Sequence, residues 1–274
     1  MMKWVRRILL YPVVVLVILI AGYLFFNKNA YYFLKGLYGT QLQWFGYEEK
    51  GNRIIENSIK DLTHVDAELY HAYSVGNTKN GNYDEAIRYL NKAAELDPRN
   101  VDEYLGWCLL YYYRDYDKAL FHLHRLDSLT NSVVYVGDDN SLYAKALCYK
   151  GKGDYKRALE LLLESIDYEV RVHNEKWITH QMLFQTGRVL HLLDRPSEAI
   201  PYYNQAIANW DGSSESFYYK GLAEIELGLD SGCENMEQAL LKLKKGIKSS
   251  DAYIRLFDEI YIGQVEEMIK LMCL

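Results

Sequence analysis

The chain has 274 residues, a formal net charge of −6 at pH 7, 50% hydrophobic residues, and 26 tyrosines against four prolines. That apolar content excludes a disordered chain, and the length suffices for a sizeable core. The acidic balance repels phosphate backbones, so no nucleic-acid partner is expected.

The first element is the long charge-free apolar run Ile8 to Phe26, ILLYPVVVLVILIAGYLFF. As a helix it extends about 28 Å, close to the thickness of a bilayer's hydrocarbon core. Lys3, Arg6 and Arg7 precede it. By the positive-inside rule they hold the N-terminus in the cytoplasm and send the rest of the chain across the membrane. A cleaved signal peptide is the alternative, but Phe25-Phe26-Asn27-Lys28 lacks the small residues of a cut site. Residues 1–27 are therefore expected to be a cytoplasmic N-terminus and an anchor crossing the lipid bilayer through residues 8–26. The expected location is the cell (inner) membrane, single-pass, with the remaining domain outside the cytoplasm, periplasmic if the source is bacterial. Residues 28–65 form a juxtamembrane segment whose Tyr31, Tyr32, Phe33, Trp44, Phe45 and Tyr47 suit an interfacial belt.

A pattern then recurs. NYDEAIRYLNKAAELDP (82–98) is followed by DYDKALFHLHRL (115–126), GDYKRALELLLESI (153–166), RPSEAIPYYNQAI (195–207) and ENMEQALLKLKKGI (234–247). Each places an alanine at one helical position: Ala86, Ala119, Ala158, Ala199 and Ala239. Further small residues, Ala93, Ala206 and Gly246, fall about two turns later in three of them. Upstream of each lies a partner helix with its own small residue: Ser74, Cys108, Ala146, Gly187 and Gly221. Small residues facing small residues let two helices cross closely, and a unit that cannot bury its own face must recur.

This pattern resembles the tetratricopeptide repeat (TPR) family, whose unit of about 34 residues is an antiparallel helix pair. Residues 67–98 carry the resemblance best, with Ser74, Tyr83, Ala86, Leu90, Ala93 and the helix-ending Pro98 at the family's positions. It implies an all-α solenoid of helix pairs, a TPR-like superhelix after one transmembrane helix. The repeats cover 66–248, in units of about 66–99, 100–127, 139–168, 180–211 and 214–248. Amphipathic capping helices are expected over 249–274. Read in the same register, 28–65 places Gly39, Gly51 and Ser58 at small positions, a degenerate repeat as the alternative to the interfacial belt. Departures are the insertions 127–140 and 167–179, Pro201 interrupting a second helix, and a long turn GLDSGCEN at 228–235.

Catalytic templates are missing: there is no GxSxG, HExxH, phosphate-cradling glycine loop or dinucleotide fingerprint. His122 and His124 point about 200° apart on a helix and cannot converge on a metal, so they are expected to be solvated or at a groove edge. Acidic pairs such as Asp138/Asp139 are expected as caps or solvated turns. No enzyme activity, cofactor or metal site is expected. Cys108, Cys148, Cys233 and Cys273 lack metal spacing. Outside the cytoplasm Cys233 and Cys273 are a possible pair; four unpaired core thiols is the other reading.

The resemblance implies that ligands lie in the concave groove formed by the first helix of each pair. Carried over, it selects His71, Val75 and Lys79, then Leu105, Leu109, Tyr112 and Tyr113, then Tyr143, Leu147 and Lys150, and finally Phe184, Arg188 and His191. Aromatic rings as anchors, with Lys79, Lys150 and Arg188 to pair carboxylates, suit a peptide or helix of a membrane or envelope protein. The expected function is a membrane-anchored protein–protein interaction scaffold or assembly factor. The alternative is a non-catalytic subunit, or an enzyme whose site lies in the insertions 127–140 and 167–179.

Overall fold

The structure is a computed structural model that describes residues 16–17, 19–62, 65–251 and 254–273. Of the run expected to cross the bilayer, residues 8–15 and 18 lie outside those residues; its end, 19–26, is helical. Among the described residues, no helix is long and apolar enough to cross a membrane. The chain divides into two compact units, Met1–Val101 and Asp102–Leu274.

The first unit holds α1 (Lys28–Trp44), α2 (Glu48–Asp61), α3 (Ala67–Lys79) and α4 (Tyr83–Leu96). Helix α1 packs on α2, α3 on α4, and α1 on α3. At the α1–α2 crossing the backbones nearly touch. A Cβ on Gly39 would lie 2.9 Å from the Gly51 carbonyl oxygen, and one on Gly51 would lie 2.7 Å from that of Gly39. Residues 28–61 thus form a helix pair, while Tyr31, Trp44, Phe45 and Tyr47 stay exposed. The core of this unit is Ile55, Leu69, Tyr73 and Tyr89, with Phe33 packed against it. Pro98 does not merely end α4; it opens α5 (Pro98–Tyr111), where its missing N–H costs no helical bond.

The second unit continues with α6 (Tyr116–Thr130), a hairpin of β1 (Tyr135–Val136) and β2 (Asp139–Asn140), and α7 (Ser141–Gly151). It is completed by α8 (Tyr155–Val172), α9 (His180–Leu192), α10 (Pro196–Asn209), α11 (Ser214–Glu226), α12 (Ser231–Lys244) and α13 (Ile262–Met272). Successive helices from α6 to α13 pack on one another. Within five of the pairs the turn has one recipe. Gly46, Gly81, Arg114, Gly153 and Asp194 all take a positive φ two residues before the next helix, the conformation that reverses the chain tightly. Side-chain caps then start the helices: Asp115 accepts from the Lys118 N–H, Asp154 from that of Arg157 and Thr179 from that of Met182. The small positions Ser74, Ala86, Ala93, Cys108, Ala119, Ala146, Ala158, Ala199, Ala206 and Ala239 are fully buried, as the close crossings require.

Several local expectations are corrected. The turn at 228–235 is short, because Ser231, Gly232 and Cys233 already belong to α12. The reason is close packing: a Cβ on Gly221 would meet the Gly232 carbonyl at 2.7 Å, so this stretch is held as helix against α11. Pro201 lies inside a continuous α10, early enough that only one backbone bond is lost. Gly246 is not a packing position; it has φ 72° beyond the end of α12, with open space around it, and serves the helix terminus. The C-terminal stretch, for which one or two capping helices are expected, forms one, since Ser249 to Tyr261 is irregular where it is described. Cys233 and Cys273 form a disulfide that ties α12 to the end of α13, while Cys108 and Cys148 are buried free thiols.

Candidate functional site

The surface built by the first helices of the second unit is occupied by the chain itself. Buried Ser249 starts the crossing, its backbone N–H donating to Glu215 Oε2 of α11 at 3.3 Å. Further on, Arg114 donates to the Arg255 carbonyl and lays its guanidinium over the Phe257 ring, 4.0 Å from the centroid. Tyr111 meets Phe257 edge-on at 6.0 Å, and the Tyr116 ring lies tilted against it at 6.4 Å. Gln185 Nε2 donates to the Phe257 carbonyl at 3.5 Å. Asp258 then pairs with Lys150 and, at 3.3 Å, with Arg188 Nε. Ile260 ends the crossing, fully buried among Tyr218, Met236, Ala239, Leu243 and Val265.

The electrostatics follow from burial. Lys150 is 8% exposed, and desolvation pulls its ammonium below the usual lysine range, with Asp258 acting in the opposite sense. Burial by itself would raise the Asp258 carboxyl. Lys150 and Arg188 outweigh it, and the group sits below the ordinary carboxylate range. The Arg188 guanidinium also lies flat on Tyr219, 3.7 Å from its centroid.

Lys150 and Arg188 come together, on a carboxylate of the same chain. Leu105, Leu109, Tyr143, Leu147 and Phe184 are 5% exposed or less, so they form buried floor and not an open lining. Tyr112 and Tyr113 lie past the end of α5, whose helix stops at Tyr111. The left-handed Arg114 turns the chain there, and Tyr111 and Arg114 take the groove-facing roles. Tyr112 packs edge-on against Trp107 at 5.4 Å. His191 Nε2 lies 2.9 Å from Glu226 Oε2. His71 and Lys79 belong to the first unit, where the Lys79 ammonium is 4.8 Å from the Trp44 ring centroid beside Leu37, Ala72 and Val75. Sequence reasoning missed Tyr111, Arg114, Tyr116, Gln185 and the occupant itself. The available signal was an aromatic–acidic stretch, Phe257-Asp258-Glu259, downstream of a groove rich in cations.

The insertions have structural work. Asn140 donates to Glu169 Oε1 at 2.6 Å, the Tyr135 hydroxyl donates to Glu169 Oε2 at 2.9 Å, and Ser165 donates to Asn140 at 2.9 Å, which locks the hairpin onto α8. Asp139 is not a solvated turn residue: burial, reinforced by Asp138 and Glu169, pushes its carboxyl up to about 7. His122 is not solvated either. Its Nδ1 lies 2.9 Å from Oδ1 of the fully buried Asp102, which Arg125 also grips at 2.5 Å. The pairing arises because His122 and Arg125 share a face of α6 one turn apart. Among the described residues no group of three His, Cys, Asp or Glu side chains could hold a metal ion.

Comparison with known families is decisive for the repeats. Tetratricopeptide repeat family models match residues 67–100 and 138–211. The chain carries tetratricopeptide repeats. A sequence search of curated proteins finds no match. Solved TPR folds are similar in shape at low identity. PilW, described as a type IV pilus biogenesis factor, matches with TM-score 0.58 and 12% identity over 78% of this chain and 97% of its own. A tetratricopeptide repeat protein from Parabacteroides merdae matches with TM-score 0.57 and 12% identity, over 89% of this chain and 84% of its own. YrrB, described as a TPR protein with an unusual peptide-binding site, matches with TM-score 0.50 and 19% identity, over 65% and 87%. These likenesses establish a shared all-α helical-repeat fold.

Proposed function

We propose that this TPR protein is a membrane-anchored scaffold that holds an envelope protein by a peptide segment laid across α5, α7, α9 and α11. One observation carries the reading: Tyr111, Lys150, Gln185 and Glu215, one from each of the four helices, already grip an irregular chain segment through a ring, a carboxylate, a backbone carbonyl and a backbone N–H. The YrrB and PilW likenesses support a peptide or assembly role without specifying one. The anchor rests on the apolar run 8–26 and its basic flank, and a location outside the cytoplasm is supported by the Cys233–Cys273 disulfide, since such bonds persist in oxidising compartments. Confinement beside the bilayer raises effective concentration, so a modest groove suffices for a membrane partner.

The test is in-cell crosslinking of the full-length tagged chain, beside a folded variant carrying Arg114→Ala and Arg188→Ala. A single envelope protein captured by the native chain and lost from the variant is the expected result. Identical capture by both removes the groove from the proposal. Deletion of residues 1–27 is expected to release the protein from the membrane fraction, and retention there would refute the anchor.

A further inference from the structure

The occupant of the groove defines the chemistry the groove accepts. Building on the scaffold reading above, we infer that α5, α7, α9 and α11 recognise a partner segment in which an aromatic residue is directly followed by a carboxylate, with Phe257-Asp258 as the resident competitor for that seat.

Charge sets the first requirement. Lys150 and Arg188 are both nearly buried, with side chains 7% and 11% exposed, and Asp258 is the carboxylate they share. A ligand that displaces the segment without returning a carboxylate leaves an ammonium and a guanidinium desolvated and uncompensated, which is far costlier than the contact it replaces. The groove therefore rejects neutral peptides. Two cations facing one carboxylate also leave a positive excess, so an acidic segment is favoured from the start of the encounter.

Shape sets the second. Phe257 is seated between the Arg114 guanidinium and the rings of Tyr111 and Tyr116, a slot suited to a flat ring and one that a small side chain leaves unfilled. Gln185 reads the carbonyl between ring and carboxylate, which fixes their adjacency.

The resident segment is a loop and not a free end. Ser249 is held by Glu215 at one side, while Ile260 in its cluster and the Cys233–Cys273 bond behind α13 hold the other. Residues 254–259 can leave the groove with both anchors kept. Being tethered, the loop competes at a high effective concentration, so an added peptide meets a masked site.

The experiment uses the full chain in detergent, oxidised, and a fluorescein-labelled peptide of the sequence SDAYIRLFDEIY, that of residues 250–261, read by anisotropy. Phe257→Ala with Asp258→Asn in the protein is expected to raise peptide affinity at least tenfold over the unmodified chain. Replacing the aspartate that follows phenylalanine in the peptide by asparagine, or adding Arg188→Ala to the protein, is expected to lose at least that factor. A folded double variant that binds no better than the unmodified chain, or that ignores the peptide's carboxylate, overturns the inference. Should the variant not fold, amide exchange on the unmodified chain decides: residues 254–259 are expected to exchange ahead of α9 and α11, and faster with saturating peptide. Exchange only together with those helices makes the segment a permanent part of the core and overturns the inference as well. Capture of a partner in cells that depends on Arg188, with no peptide binding, removes this recognition rule and leaves the scaffold intact.

Discussion

The Asp258 carboxylate lies against the Lys150 ammonium and 3.3 Å from Arg188 Nε, joining the end of α7 and the middle of α9 through a residue 108 positions downstream of the lysine. A contact of such sequence separation converts the surface of a repeat array into a closed, charged seat. Asp258 itself takes φ 58°, a left-handed conformation that aspartate tolerates better than most side chains.

Asp258→Asn is expected to cost about 3–5 kcal/mol at neutral pH, because it strands two buried cations. The pH dependence follows from the depressed folded pKa. Its contribution is complete above the unfolded carboxylate value near 3.9 and is lost as pH falls through the lower folded value. Urea midpoints of the native chain and the variant should differ at pH 7 and converge toward pH 2. A gap independent of pH would show that the ion pair is not its source.

Gly221→Ala should destabilise by about 1–3 kcal/mol, although Gly to Ala in a helix is ordinarily favourable by about 0.5–1 kcal/mol. The added methyl would sit 2.7 Å from the Gly232 carbonyl oxygen, and backbone on both sides prevents relief. Gly263→Ala in α13, where nothing lies within 4 Å, is the matched control and should be neutral or stabilising. Equal thermal midpoints for the two variants would argue against the α11–α12 crossing.

Ala86→Leu should likewise cost about 1–3 kcal/mol by overpacking, since Ala86 is fully buried between helices. Lys92→Leu on the exposed face of the same helix should stay within about 0.5 kcal/mol. Denaturant midpoints distinguish them, and an unchanged midpoint for Ala86→Leu would contradict the repeat register.

Replacing Cys233 and Cys273 by serine opens a loop of sequence separation 40, for which the chain-entropy account gives about 4 kcal/mol of lost stability. The oxidised native chain and the double variant should therefore differ in urea midpoint, whereas under strong reductant the two should coincide. Cys108 and Cys148 should resist thiol reagents until unfolding, since burial holds both thiols up at about 12.

Much of the frame was legible in the residues. Small side chains at two-turn spacing imply close helix crossings wherever they occur, and Ala86, Ala119, Ala158, Ala199 and Ala239 are buried accordingly. Glycines in the turns announce the reversals at 81 and 153, because a positive φ favours them locally. Gly246 shows the limit of that reasoning: a small residue at the right spacing served a helix end, since where α12 stops depends on what surrounds it. Arg114 and Asp194 adopt the same left-handed turn with no glycine to mark it.

By itself, then, the sequence determined the helix-pair repeat, because periodicity and small-residue spacing act within one turn or one pair and need no knowledge of the rest of the chain. Only the tertiary structure decided what the groove cations do. Pairing Lys150 and Arg188 with Asp258 depends on how stacked repeats return a distant segment to one surface. Charge has no periodicity of its own, so a buried ion pair between remote positions leaves no local pattern to read.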